Sequence, residues 1–496
     1  MSTTYPFLLT LVLGSTCIAA AQAPLKYATL YSFTGQNGDG ASPGALIVAK
    51  NGHLLGTTQF GGSGPCTASA STGCGTIFEL LPPESPLDAW KETVLYSFGA
   101  VNGDGAYPTA GLVFGANGAV YGTTSQGGAQ NQGTVFVLTP PGLDATAGSA
   151  WTETILHSFA GGARDGAQPF AGLALGQDGT LYGTTFTGGA QDLGTAYALA
   201  PPASPDGSWT EKILHSFAGY PGDGSNPNGG LAIDKGGTLY GAAGLYVFAL
   251  HADGQGAWSE DVLASFFVNL PDALEEPGGV TIGRDGVLYG TTFTGGLPSC
   301  IPEGCGGVFA VTPRGSDGGA WTERVISFLG GPPLAGNPLG GVVIGPDGGL
   351  LGTTSLSTGT VYSLTPAANP KLLWKEATLH TFEPTVGDGS HPLAGLAVGS
   401  GGALYGTTSL GGAANMGPFS NWGSSAGLSA LGGIFPTRSS CGSQSEAHPA
   451  CLFSRRGELP RSSANRVYRP VPNTIIVDVR APAAGHPAPP GAFRSK

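Results

Sequence analysis

The side chains able to do chemistry in this chain recur at regular intervals. Gly-Asp-Gly loops and their variants place Asp39, Asp104, Asp165, Asp223 and Asp388 in equivalent positions. One reading is a ring of carboxylates for a cation such as Ca²⁺, which takes six or more oxygen ligands. The other has each Asp accept backbone N–H bonds within its own turn. Repetition favours the second reading, because equivalent residues of separate repeats lie too far apart to converge on one ion. No cofactor is therefore expected, with Ca²⁺ as the alternative.

A specialised site should break the repetition. In the fifth repeat Asp272, Glu275 and Glu276 replace the Gly-Asp-Gly loop, beside a fourth repeat trimmed at Gly241–Leu245. Three carboxylates there could bind a cation or act as an acid/base pair. His157, His215 and His380 stand where Tyr31 and Tyr96 stand in other repeats, which reads as structural. There is no G-x-S-x-G, nucleotide loop or zinc motif, and no catalytic residue is assigned.

Beyond Cys17, the six cysteines fall as local pairs: Cys66 with Cys74, Cys300 with Cys305, and Cys441 with Cys451. In an exported chain this pattern reads as disulfides. A metal site is the alternative, but no His lies at ligand spacing near the first two pairs.

The elements that position these residues come from a repeat. An aromatic or aliphatic residue, Ser or Thr, then Phe recurs at Phe33, Phe98, Phe159, Phe217, Phe266, Phe328 and Phe382. Each unit reads as four short strands, A to D, illustrated by GLVFG, AVYGTT, GTVFVL and TETILHSF in the second. Between A and B, Asn51-Gly52, Asn117-Gly118, Asp178-Gly179 and their equivalents predict type I′ hairpins with positive φ at both central residues. A four-stranded unit of this size cannot bury both faces alone. Radial packing buries them, which predicts a β-propeller of seven four-stranded blades. A β-helix is the rival, with shorter rungs. Residues 25–33 align with strand D and lack A to C, so they are expected to complete the last blade and close the ring. The D–A and B–C loops should share one acidic face.

Trp90, Trp151, Trp209, Trp258, Trp321 and Trp374 open a W-x-E phrase before strand D. They read as wedges between neighbouring outer strands rather than sugar platforms. The Glu residues that follow (Glu92, Glu153, Glu211, Glu260, Glu323 and Glu376) are expected on the solvated side. The Thr-Thr pairs ending strand B, such as Thr123-Thr124, read as strand formers rather than ligands.

Composition agrees with this frame. The 496 residues include 87 Gly and 39 Pro, yet 41% are hydrophobic and only 10% charged. That balance excludes a wholly disordered chain, and so much Gly and Pro excludes a helical bundle. Residues 1–21 resemble a signal peptide, with cleavage after Ala21, and no later apolar run is long enough for a membrane helix. The net charge of −12 argues against a nucleic-acid partner.

Residues 25–417 hold the seven repeats. Up to residue 417 the chain carries 11 Lys+Arg against 29 Asp+Glu; residues 418–496 carry 9 against 3. The last segment is therefore a basic Ser/Pro/Arg-rich tail, either genuine or the product of a shifted reading frame. The missing third strand of the seventh blade could be Gly432–Phe435 or lie within Thr474–Val479.

The phrases YGTT-x-x-GG (Tyr121–Thr124 with Gly127-Gly128) and GTVF-x-L-TP (Gly133–Pro140) recur in phase. Through them the chain resembles exported bacterial tandem-repeat proteins of the choice-of-anchor GloVer-repeat family. The resemblance covers about residues 25–415. It implies export and often a C-terminal anchor, and it carries no established activity or catalytic residue. No anchor helix or sorting motif is recognisable in the tail. The expectation is a monomeric scaffold, secreted or at the cell surface or in the periplasm, whose loops bind an extracellular protein or glycan. The alternative is a propeller-type polysaccharide lyase or hydrolase working near Asp272, Glu275 and Glu276.

Overall fold

The computed structural model describes residues 26–411, apart from short stretches within loops, and residues 475–480. The signal segment, Asp272, Cys300, Gly432–Phe435, Cys441 and Cys451 lie outside the described residues. So do most residues of the tail.

The described residues are all-β apart from two single-turn 3₁₀ segments, Ala116–Gly118 and Ser400–Gly402. Six antiparallel sheets each consist of four strands that neighbour one another in chain order. In the second these are Val113–Phe114, Val120–Thr124, Thr134–Thr139 and Thr152–Ser158. The others begin in the same phase at Gly40, Ala174, Ala232, Leu274 and Val343. The arrangement is a β-propeller with six blades built this way.

A further sheet draws on both ends of the chain. Ala397–Val398 pairs with Leu404–Thr407, which pairs with Ile475–Arg480, which pairs with Lys26–Ser32. Of the two candidate third strands, the described one is therefore the later.

The core lies between blades rather than within them. Phe33, Phe98, Phe159, Phe217 and Phe266, at the ends of outer strands, each pack at a steep angle against a third-strand aromatic of the next blade. Examples are Phe98 on Phe136, with centroids 5.2 Å apart, and Phe217 on Phe248, also at 5.2 Å. The third-strand aromatic in turn covers the glycine of YGTT. A Cβ on Gly122 would stand 2.5 Å from Phe136 Cζ, so only glycine leaves room for the ring.

Three local expectations are corrected. The A–B hairpins are type I′ at Asn117-Gly118 and Gly401-Gly402, where both residues have positive φ. Elsewhere, as at Gly52 with φ 85°, only the glycine does. There Gly52 N–H closes onto Ala49 C=O and the Asn51 side chain accepts from His53 N–H, which makes the preceding residue's left-handed conformation unnecessary.

In the fifth blade the buried residue of the recurring phrase is Leu329, not Phe328. Leu329 is 0% exposed and its N–H bonds Gly306 C=O, as Phe159 N–H bonds Gly133 C=O. Phe328 pairs with Gly307, at the position of Ser158 opposite Thr134.

The third correction concerns the Trp wedges. Their partner is the second strand of the preceding blade, not its outer strand: Trp209 meets Tyr121, Trp258 meets Tyr182 and Trp321 meets Tyr240.

The loops fall where the strand order requires. Gly105–Ala106 pairs with Gln126–Gly127, and Gly166–Ala167 pairs with Thr187–Gly188. The D–A and B–C loops thus share one face and are tied to each other there.

Candidate functional site

The described residues able to do chemistry gather along the seams between blades. Five seams take one residue from the outer strand of one sheet, an Asp from the loop that follows, and one residue from the outer strand of the next. A β-bulge in each of the six blades, such as that between Val135 and Phe136 in the pairing of the third and fourth strands, re-aims the end of the outer strand.

The Asp is fixed in the same way in every described case. Asp104 accepts from Gly99 and Gly105 N–H, at 2.8 and 2.6 Å. Asp223 accepts from Ala218 and Gly224 N–H, at 2.7 and 2.6 Å. Asp39, Asp165 and Asp388 repeat the pattern. The preceding outer strand then brings a phenol or an imidazole onto the same carboxylate. Tyr96 Oη donates to Asp104 at 3.1 Å, His157 Nε2 lies 3.4 Å from Asp165, and His380 Nε2 lies 3.4 Å from Asp388. Tyr31 bonds Asp39. The histidines read as structural at the sequence level are thus the ones that meet these aspartates.

The third member was missed. Glu92, Glu153, Glu211 and Glu260 were expected on the solvated side, yet the Oε1 of each is buried without a hydrogen-bond partner. Alternation along the outer strand turns them toward the neighbouring blade, which a reading of one isolated strand does not reveal. Burial, helped by the charge of the nearby Asp, pushes Glu92, Glu153 and Glu211 up to about 7. Glu376 is also raised by burial and accepts from Ser327 Oγ at 3.1 Å. Ser327 holds the position of His157 in the fifth blade, and Ala264 holds it in the fourth. Glu323 alone of the six remains exposed.

One seam gathers all three chemistries. His215 Nε2 lies 3.1 Å from Asp223 Oδ2 and 3.6 Å from Glu260 Oε2. Burial works against the imidazolium, but the Asp223 hydrogen bond and the charges of Glu260 and Asp223 outweigh it and raise the His215 pKa. Asp223 is held low despite its burial, because His215 and two backbone amides favour its charged form. Glu260 is raised, chiefly by burial. Among the described residues this is the one group of three His, Cys, Asp or Glu side chains whose donor atoms come within metal-sharing range.

The Thr-Thr pairs also do more than form strands. The first Thr of each pair reaches the inner entry of the next blade: Thr57 to Ala110 C=O, Thr123 to Ala171 C=O and Thr184 to Gly229 C=O. In four pairs the second bonds a Thr of its own blade, as Thr124 does with Thr134 at 2.7 Å.

Of the remaining sequence candidates, Glu275 and Glu276 lie on the strand Leu274–Ile282, where Glu275 pairs with Thr294. Cys66 and Cys74 form a disulfide. Cys305 is also disulfide-bonded. Its expected partner Cys300 lies outside the described residues. The third expected bond, Cys441 to Cys451, falls wholly outside them.

Blade-to-blade seams built from a repeated phrase define a tandem-repeat β-propeller. The profile of the Gloeobacter/Verrucomicrobia repeat matches residues 17–152. Over those residues the chain is similar to that repeat, the one its YGTT and GTVF phrases resemble. No curated protein matches the chain.

Among solved structures, a putative oxidoreductase (glucose dehydrogenase) from a Thermus species is 19% identical, with a TM-score of 0.37. The match covers 66% of this chain and 94% of that one. A putative 6-phosphogluconolactonase from Bacteroides fragilis is 15% identical over 69% of this chain and 85% of its own, with a TM-score of 0.42. Another from Bacteroides uniformis is 16% identical over 71% and 88%, also at 0.42. At these identities and scores the likeness does not extend to chemistry.

Proposed function

We propose that this chain is an exported propeller scaffold whose D–A and B–C loop face binds an extracellular protein or glycan. The observation that carries this reading is the contrast between a constant frame and variable loops on one face. The repeated Asp and Thr side chains are engaged in holding turns and blades. The B–C connection, by contrast, runs from residue 62 to residue 75 with a disulfide in the first blade and is only Gly244-Leu245 in the fourth. Loops that vary on a rigid frame suit recognition.

The same reading includes a closed ring of seven blades. Tyr27, on the N-terminal strand, takes the seam position held by glutamate in other blades: it stacks on His380 at 3.8 Å and donates to Asp388 at 2.5 Å. Thr407 donates to Gly44 C=O at 3.0 Å, the bond that Thr57 makes to Ala110. Trp90 meets Tyr405 as Trp209 meets Tyr121. Export agrees with the Cys66–Cys74 disulfide, since such bonds persist in oxidising compartments. No helix of the described residues is long and apolar enough to cross a membrane.

A second reading, a polysaccharide lyase or hydrolase, draws on the trimmed Gly244-Leu245 turn beside the acidic strand that carries Glu275 and Glu276. A glycan-array screen run in parallel with a turnover assay separates the two. The scaffold reading expects saturable binding without product. Product formation abolished by Glu275→Ala with Glu276→Ala would replace it with the enzyme.

A further inference from the structure

We propose that His215, Asp223 and Glu260 form a binding site for a divalent ion of the zinc class at the seam between the third and fourth blades. The argument begins with spacing. Zinc bonds of roughly 2.0–2.2 Å in a tetrahedron require ligand atoms roughly 3.3–3.6 Å apart. His215 Nε2 stands 3.1 Å from Asp223 Oδ2 and 3.6 Å from Glu260 Oε2, and the three donor atoms lie within 4.8 Å of one another. They come from two outer strands and one loop, all fixed by ladder or turn hydrogen bonds.

Charge and hydrogen bonding give an independent reason. Glu260 Oε1 is buried and has no hydrogen-bond partner. A buried carboxylate oxygen without a donor is costly, and a cation bound through the carboxylate offsets that cost. The group carries two carboxylates against one imidazole, and the ion pairs of the described residues bring it no Lys or Arg. One imidazole with two carboxylates suits zinc, whereas Ca²⁺ needs more oxygens than this seam presents. The Ala218 and Gly224 amides orient the Asp223 carboxylate, as outer partners of metal ligands do. Three protein donors leave a fourth position open.

The other seams explain why the site is single. Tyr96 replaces the imidazole at one, and Tyr27 replaces the glutamate at another. The preceding seam has the same residue types, but His157 and Asp165 stand 3.4 Å apart and Glu211 does not join them within range.

The test uses the full-length chain without a histidine tag. It is titrated with Zn²⁺ by calorimetry, and with Co²⁺ while the visible absorption is recorded. The expected result is saturable binding and a tetrahedral cobalt band, both lost in His215→Ala and Glu260→Gln and retained in His157→Ala. Calcium should not compete. Circular dichroism first establishes that each variant is folded. If His215→Ala fails that check, the shape-conserving Glu260→Gln decides together with X-ray absorption of the zinc-loaded protein, which must show one imidazole ligand. Absence of saturable binding, binding unchanged in Glu260→Gln, or a ligand set without imidazole would each overturn the proposal and leave the seam a hydrogen-bonded cluster.

Discussion

Tyr197 and Tyr362 replace the phenylalanine that the third strand carries elsewhere, and both are 0% exposed with a hydroxyl lacking a hydrogen-bond partner. Removing such a hydroxyl restores a buried methine and deletes an unsatisfied polar group. Tyr197→Phe is therefore expected to leave stability unchanged or raise it by up to about 1 kcal/mol. Urea denaturation of the variant checks this, and a clear loss would point to a bridging water. The reassigned core residue of the fifth blade gives a second test by the same measurement. Leu329→Ala should cost about 2–5 kcal/mol, and Phe328→Ala distinctly less, because only Leu329 is fully enclosed. The sequence made Phe328 look equivalent because the phrase Ser-Phe is intact there. Pairing with Gly307 shifts the register, and a register is a property of two strands.

At the scale of elements, the blades are joined by hydroxyl-to-carbonyl bonds at the inner side and aromatic contacts farther out. Thr123→Val keeps the shape and leaves the Ala171 carbonyl without its donor. It should cost about 1–3 kcal/mol in the same denaturation assay, while a surface Thr→Val change should cost almost nothing. Gly122→Ala places a methyl 2.5 Å from Phe136 Cζ and should cost about 1–3 kcal/mol through overpacking. The four-strand unit and the shared loop face were legible from in-phase hairpin and Gly-Gly signals. The role of the threonines was not, because an isolated Thr-Thr strand end says nothing about which carbonyl of another blade it will meet.

For the whole molecule, the buried seam glutamates set the pH dependence of stability. Glu92, Glu153 and Glu211 keep their protons up to about pH 7 when folded, against an ordinary value of 4.5 in the unfolded chain. Between those values the folded state binds more protons than the unfolded one. Stability therefore falls as pH rises through this window, and the full penalty is present above it. The raised His215 acts in the same direction. The melting temperature should be higher at pH 5.5 than at pH 8, and substituting these three glutamates by glutamine should flatten the difference. A wild-type profile that rises toward pH 8 would contradict the burial of these side chains.

The sequence by itself determined that this chain is an all-β repeat protein, where each strand of a unit begins, which loops share a face, and that Cys66 pairs locally with Cys74. Those features depend on local turn chemistry, alternation and spacing, which one repeat carries within its own residues. It also singled out Asp39, Asp104, Asp165, Asp223 and Asp388 as equivalent. Only the tertiary structure decided what stands opposite each of them. The imidazole, the aspartate and the glutamate of the His215 seam come from two blades and the loop between them, 45 positions apart from His215 to Glu260. Their meeting depends on how one sheet packs against the next, and their burial, their shifted protonation and their spacing for a metal follow from that packing alone.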